Sequence, residues 1–175
     1  ANVTAIRTSD GLLLVDTGNF RARDRTFGTV RGWDGAPLAA AIYTHGHVDH
    51  ACGLPPFLAE AEARGHPRPR IVGHRDVAAR FDRYRATAPY NALINARQFA
   101  IPPAWPTEYD YPDTVYDATY RLEVGDVALH EGDLRDLGLR QDEAQPAGVL
   151  AQVVHPHRIA AGQQVNRVLL FGIDR

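Results

Sequence analysis

The chain has 175 residues, of which 45% are apolar and 23% charged, and its formal net charge is -2. This composition is typical of one ordinary globular domain and argues against disorder. Nucleic acids and membranes are not predicted as partners, because both need a clustered basic face and the sequence has no block of like charge. A small-molecule substrate is the expected partner, and the oligomeric state is not indicated.

Apolar runs, the first residues and the cysteine content give further expectations. No apolar run approaches the roughly 20 residues that a bilayer crossing needs, and the first six residues lack the pattern of a signal peptide. The chain as given is therefore expected to be soluble, with the cytoplasm favoured. The absence of methionine predicts a fragment or a processed form. Cys52 is the single cysteine, so no internal disulfide is expected.

The first part of the chain predicts a hairpin followed by alternating helices and strands. Two β-type runs flank the turn signal Ser9-Asp10-Gly11, and later segments alternate between apolar runs and one-face helical spacing. This rhythm is typical of an α/β protein. The predicted elements are strands at 2–7 and 12–16, a helix at 21–31, a strand at 39–44, a helix from 55, a strand at 70–73, and helices at 75–85 and 90–99.

The second part predicts mainly strands. Four prolines between residues 101 and 112 exclude a regular helix there. Strands are predicted at 114–123 and 127–130, around the turn signal Gly125-Asp126. The later apolar runs 149–154 and 168–171 are further strand candidates.

Three histidines and an aspartate lie within six residues directly after the predicted strand 39–44: His45, His47, Asp49 and His50. In an extended segment, His45 and His47 would leave on the same side, which suits chelation of one borderline-soft ion. Asp49 and His50 follow on a turn and could form a second site. A water shared by two cations in these sites would be largely ionised at neutral pH and would serve as the nucleophile.

Two other interpretations of this cluster are weaker. Solvated loop histidines are common singly, but crowding three imidazoles and a carboxylate has little packing value. A closed structural zinc site usually brings several cysteines, and Cys52 is alone. Metal binding is therefore favoured, with zinc as the first candidate and iron or manganese also compatible with these donors.

The string Thr-His-Gly-His-Val-Asp-His at 44–50, preceded by Leu-Leu-Leu-Val-Asp-Thr-Gly at 12–18, resembles the metallo-β-lactamase superfamily of metal-dependent hydrolases. The resemblance implies an αββα sandwich with the metals at the edge between its two sheets, here as an incomplete N-terminal portion. It further implies that His45 and His47 ligate a first metal, that Asp49 and His50 ligate a second, and that Asp16 is the family's structural aspartate near the site.

Residues 79–84 and 90–99 are similar to the alkyl-sulfatase-like members of this superfamily, which hydrolyse sulfate esters with two zinc ions. The resemblance implies a hydrolase in which a metal-bound hydroxide attacks an ester and Asp49 orients the hydroxide or acts as base. An alkyl sulfate is the leading substrate, ahead of a lactone, thioester or phosphodiester. Asn91, Asn95 and Arg97 would face the pocket, cap helices or lie in solvent, and His74 would line the pocket, cap a helix or support the site from behind.

The remaining ligands of the family are expected after a Gly-Asp turn such as Gly125-Asp126, in a Gly-His-Thr or Gly-Glu-Thr-Asp-Asp-His motif. Neither motif is present. Asp133 and Asp136 fall at the glutamate and aspartate positions, Leu137 occupies the histidine position, and His130 is a candidate substitute.

The resemblance ends at Gly132, which divides the chain into a metallo-β-lactamase-like domain at 1–131 and a divergent or non-native segment at 132–175. A shift of reading frame in a GC-rich gene is one explanation. Genuine divergence is the other, with His155 and His157 either returning to the site or lying exposed. A truncated, non-catalytic metal-binding fragment is therefore the competing hypothesis to a hydrolase.

Overall fold

The computed structural model describes residues 2–130 and 168–172. The described strands are β1 (Asn2–Thr8), β2 (Gly11–Val15), β3 (Leu38–Tyr43), β4 (Arg70–His74), β5 (Thr114–Tyr116), β6 (Arg121–Val124), β7 (Val127–His130) and β8 (Val168–Gly172). The described helices are α1 (Arg23–Trp33), α2 (Pro55–Ala63), α3 (Arg75–Ala86) and α4 (Ala88–Phe99).

Six of these strands form one sheet in the order β5-β4-β3-β2-β1-β8. Strands β2, β3, β4 and β5 run parallel to one another, and β1 pairs antiparallel with both β2 and β8. Helices connect the parallel strands, as a parallel crossover requires. The carboxyl ends of β2, β3, β4 and β5 consequently meet at one edge of the sheet.

Helices cover the first face of this sheet. The central strands are apolar at consecutive positions, because alternating side chains serve two buried faces. Leu12 and Leu14 of β2 point into the helical layer, whereas Leu13 between them points the other way. The helical layer contributes Val30 from α1, Leu54 and Phe57 at the start of α2, and Val77 and Phe81 from α3.

The hairpin of β6 and β7 covers the opposite face. Leu122 and Val124 of β6 are buried against Leu13, Ile42 and Val72 of the large sheet. The hairpin is a second sheet of two described strands. The described residues therefore contain a helical layer, a large sheet and part of a second sheet, which agrees with the predicted α/β class and αββα layering.

One predicted element is wrong. The expected single strand at 114–123 is two strands in two different sheets, β5 beside β4 and β6 beside β7. Residues 117–120 carry the chain from one sheet to the other, and Tyr116 stacks on Tyr120 across this crossing with ring centroids 5.6 Å apart. A run of β-forming residues does not show where a chain passes from one sheet to another. The break at residues 117–120 therefore could not be predicted from the local sequence.

The other predicted elements in the described part of the chain are confirmed within a few residues at their ends. Residues 101–112 contain no regular element, as their prolines predicted. The strand candidate at 149–154 lies outside the described residues. None of the described helices combines the length and apolar character that a membrane crossing requires.

The loops that follow β2 and β3 are locked together at the carboxyl edge of the sheet. The backbone N–H of Thr17 donates to the carbonyl of His50 over 2.6 Å, and the N–H of Cys52 donates to the carbonyl of Gly18 over 3.0 Å. The N–H of Gly53 donates to the hydroxyl of Thr17 over 3.1 Å. A Cβ atom at Gly53 would collide with the carbonyl oxygen of Thr17, so only glycine lets the two loops approach this closely.

We expect Gly53→Ala to lower the free energy of unfolding by at least about 2 kcal/mol, because the added methyl group forces the two loops apart. Gly28→Ala is the matched control: Gly28 lies in α1 with open space around it, and the change should stabilise by about 0.5–1 kcal/mol. Urea denaturation measures both effects. Equal stability of the two variants would show that the loops do not depend on this contact.

Candidate metal centre

The candidate centre lies where β2 and β3 end. The backbone N–H of Asp16 donates to the carbonyl of Ile42 over 2.9 Å, so Asp16 still pairs with β3 before the chain turns. Its φ of +56° places it in the left-handed region, which aspartate tolerates better than most residues. The side chain is 7% exposed and lies against the start of the histidine loop.

The carboxylate of Asp16 accepts three hydrogen bonds from that loop. The N–H of Thr44 donates to Oδ1 over 2.9 Å, and the hydroxyl of Thr44 donates to Oδ2 over 2.8 Å. Nδ1 of His50 lies 2.7 Å from Oδ2. Because a carboxylate only accepts, His50 carries its proton on Nδ1 in this contact. Its Nε2 is then left unprotonated when the ring is neutral.

Thr44 orders the second imidazole in the same way. Its hydroxyl proton is used on Asp16, so its oxygen acts as acceptor toward Nδ1 of His45, 2.9 Å away. His45 therefore also carries its proton on Nδ1 and presents Nε2 as a free lone pair. Hydrogen bonds of this kind, made by the ring nitrogen that does not bind metal, set the tautomer and orientation of metal-ligating histidines.

Two of the predicted ligands, His45 and His50, form a compact group with Asp16. Ligand atoms of Asp16, His45 and His50 lie within 4.8 Å of one another. The ring of His45 is 4.5 Å from that of His47 and 4.3 Å from that of His50, measured between centroids. Oδ2 of Asp49 lies 3.6 Å from Nε2 of His50, and the Asp49 side chain is 46% exposed.

Electrostatics favours neutral ligands at two of the three histidines. Burial, assisted by the nearby His50, lowers the pKa of His45 to about 4. Burial and the positive charge of Arg80 lower the pKa of His47. Burial also disfavours protonation of His50, but its hydrogen bond to Asp16 and the charges of Asp16 and Asp49 outweigh this and raise its pKa. Metal binding at His50 would therefore compete with a proton more than at an ordinary histidine.

This donor set fits a divalent transition metal. Three imidazoles and two carboxylates lie together, and neutral imidazole nitrogen is a preferred ligand of zinc. The same donors also accept iron or manganese, so they do not select one metal. The structure places His45 and His50 together with Asp16, His47 beside His45, and Asp49 beside His50. These residues follow β3 in a bend and a turn and not in an extended strand, and their roles as metal ligands stay a prediction.

The three remaining ligand candidates are not described. The backbone of His130 ends β7, and its side chain lies outside the described part of the chain. Asp133 and Asp136 also lie outside it, as do His155 and His157. Their roles, and the domain boundary after residue 131, stay predictions.

His74 caps α3: its Nδ1 accepts from the N–H of Asp76 over 3.2 Å, and its Nε2 lies 2.9 Å from the carbonyl of Asp117. Of its alternatives, helix capping is the one confirmed. Asn91 and Asn95 bond within their own region of α4, to the hydroxyl of Thr87 and the carbonyl of Asn91.

Two residues near the centre were missed. Thr44 begins the histidine string at 44–50, and its link between Asp16 and His45 could have been found from the expected closeness of the strand ends. Arg80 had no local signal, because only the packing of α3 brings it near His47.

A model of the metallo-beta-lactamase superfamily matches residues 1–140. The chain belongs to this superfamily. Membership confirms the resemblance that the two motifs carried, and members of this superfamily generally bind metal ions. A search of curated proteins found no match.

Solved structures show the same fold in two alkylsulfatase forms. The chain is similar to the stereoselective inverting sec-alkylsulfatase Pisa1 from Pseudomonas sp., with 17% identity and a TM-score of 0.58 over 73% of this chain and 24% of that one. A double mutant of the sec-alkyl sulfatase PisA1 matches with 18% identity and a TM-score of 0.55, over 73% of this chain and 24% of that one. The chain thus spans about a quarter of the length of these structures.

A β-lactamase of the superfamily also matches. BJP-1, a subclass B3 metallo-beta-lactamase of Bradyrhizobium japonicum, shares 19% identity with a TM-score of 0.46 over 72% of this chain and 42% of that one. At such identities, these similarities concern the fold alone.

Asp16→Asn should destabilise the metal-free protein more at about pH 5.5 than at about pH 8.5. The folded-state pKa of His50 is raised, so charged His50 stabilises the fold below its unfolded pKa of about 6.5, and this contribution disappears as the pH rises through the folded pKa. The asparagine removes the negative charge that His50 needs. Lost hydrogen bonds to Thr44 should add roughly 1–2 kcal/mol at both pH values.

Denaturant unfolding at the two pH values measures this difference. Asp82→Asn is the control, because Asp82 accepts a hydrogen bond from the Tyr111 hydroxyl and its loss should not depend on pH in this range. An Asp16→Asn penalty that is the same at both pH values would contradict the assignment of the His50 contact.

Proposed function

We propose that this chain carries the metal-binding part of a hydrolase that cleaves ester substrates, with alkyl sulfates as the leading class. The observation that carries the proposal is the Asp16 network, which orders His45 and His50 so that each presents Nε2. Burying a carboxylate costs free energy, and core packing alone does not require one. The three hydrogen bonds that Asp16 accepts from one loop therefore favour a role in positioning the histidines. Ordered imidazoles at the carboxyl edge of a parallel sheet suit a metal-dependent reaction.

His45 and His47 would hold one zinc ion, and Asp49 and His50 a second. When bound, such ions lower the pKa of a coordinated water and withdraw electron density from the ester. The contribution of this chain is to keep His45 and His47 neutral and to fix the orientation of His45 and His50. Burial keeps His45 neutral, and the hydrogen bonds that His50 donates to Asp16 and His45 donates to Thr44 fix the two rings.

Asp49 is the candidate to handle the proton of the attacking water. Its carboxylate is 46% exposed and lies 3.6 Å from Nε2 of His50, so one oxygen remains accessible from solvent. A carboxylate in this position can accept a hydrogen bond from water and direct the lone pair of that water toward the substrate. Asp16, by contrast, is buried and committed to Thr44 and His50, which makes it a positioning residue.

Two points favour a sulfate ester as substrate. The sequence of α3 and α4 at residues 79–84 and 90–99 resembles alkyl-sulfatase-like members. Two of the matched structures of this fold are described as sec-alkylsulfatases.

The alternative is a metal-binding chain without catalytic activity. This alternative is favoured by the small number of possible ligands. Within the described residues, Asp16 and Asp49 are the carboxylates that lie beside the histidines. In addition, Leu137 occupies the position where the family has a further histidine.

The two proposals differ in zinc stoichiometry and in turnover. The hydrolase should bind two zinc ions per chain by native mass spectrometry and should cleave p-nitrophenyl sulfate. His47→Ala should lose one ion and reduce turnover by roughly 100-fold or more, since a lost ligand costs at least as much as a lost supporting contact. His66→Ala, at a histidine distant in sequence from the loop, is the control and should change neither quantity. One weakly held ion with no turnover, unchanged in His47→Ala, would refute the hydrolase.

A further inference from the structure

Helix α3 packs directly against the histidine loop. A Cβ atom placed on Gly46 would lie 3.0 Å from both Cβ and Cγ of Arg80 and 3.3 Å from Cα of Val77. These distances are shorter than ordinary contacts, so the glycine between His45 and His47 lets the helix approach. The stem of Arg80 therefore runs beside the candidate metal ligands.

An aromatic ring holds the guanidinium of Arg80. Its Cζ lies 5.7 Å from the centroid of the Tyr84 ring, within the range of a cation–π contact. Tyr84 is itself 8% exposed and packs edge-on against Trp105 with centroids 5.2 Å apart. The buried Tyr84 ring thus restricts the position of the Arg80 guanidinium.

The acidic residues of α3 are engaged elsewhere. Asp76 lies 3.3 Å from Nδ1 of His74, and Asp82 accepts a hydrogen bond from the Tyr111 hydroxyl over 2.7 Å. Within the described part of the chain, no carboxylate lies at ion-pairing distance from Arg80 or from Arg83, one helical turn later. Two positive charges therefore remain without a negative partner there.

The positive charges of Arg80 and Arg83 lie beside a candidate site for a metal cation, which is electrostatically unfavourable unless an anion binds between them. The stem of Arg80 lies against Gly46, directly between His45 and His47, and Arg83 follows one turn later on the same helix. A guanidinium beside a dication site repels the metal, because like charges in a partly buried site are poorly screened. An anionic group between the metal and Arg80 would turn this repulsion into attraction on both sides.

We propose that Arg80, supported by the charge of Arg83, binds the anionic group of the substrate, so that the centre selects esters bearing a charged tetrahedral oxyanion over neutral esters. The planar fork of arginine suits two oxygens of a sulfate or phosphate group. This inference rests on the proposed function for its substrate role. Sulfate monoesters and phosphate monoesters share the chemistry, and the experiment separates them.

The test is calorimetric titration of the full chain with inorganic sulfate and, separately, inorganic phosphate, before and after loading with zinc. Arg80→Gln should weaken binding of the preferred anion by roughly 10- to 100-fold, the value expected for lost charged hydrogen bonds. Arg80→Lys should bind the anion with an affinity between those of the wild type and Arg80→Gln, because lysine keeps the positive charge but lacks the planar fork of arginine. Arg75→Gln is the matched control: Arg75 is on the same helix but pairs with Asp117 at 3.3 Å, and its affinity should stay within about twofold of the wild type.

A wild-type chain that binds neither anion, or an Arg80→Gln chain that binds as tightly as the wild type, overturns the inference. Turnover measurements distinguish a failure of this inference from a failure of the proposed hydrolase function. Arg80→Gln should raise KM for p-nitrophenyl sulfate and leave KM for neutral p-nitrophenyl acetate unchanged. Hydrolysis of the sulfate with an unaltered KM in Arg80→Gln would refute the inference and keep the hydrolase. Anion binding that depends on Arg80, without any hydrolysis, would support the inference and refute the hydrolase.

Discussion

One buried carboxylate, that of Asp16, organises the edge of this sheet. It accepts from the backbone and hydroxyl of Thr44 and from the ring of His50, and through Thr44 it sets the proton position on His45. The cost of burying a charge is offset only when each oxygen finds donors. The loop after β3 supplies those donors and, in adopting the shape that reaches them, presents its histidines together.

The sheet topology makes this interaction possible. Parallel neighbours β2 and β3 end at the same edge, so a residue at position 16 meets residues at 44 and 50 although they are far apart in sequence. The close approach at Gly53 holds the two loops in register, and the close approach at Gly46 admits α3. Two small residues thus determine how near the ligands come to one another and to the charges of the helix.

Sequence patterns predicted the parts of this structure that depend on local order. Apolar runs and one-face spacing located the helices and strands, and the close spacing of His45, His47, Asp49 and His50 predicted their grouping. The crossing between β5 and β6 and the position of Arg80 beside His47 were not predictable, because both depend on contacts between distant segments. The resemblance named Asp16 as a structural aspartate, but its three hydrogen bonds to Thr44 and His50 depend on the left-handed turn at the end of β2.

The pairing of β8 with β1 has a consequence for how the protein folds. Asn2 lies opposite Gly172, so this sheet edge closes a loop of nearly the whole chain, whereas Asp16 and His50 are only 34 residues apart. Longer loops cost more entropy to close, and contacts distant in sequence form late. We therefore expect the strands around the candidate centre to pair first, and β8, at the edge of the described sheet, to be added after the histidines are in place.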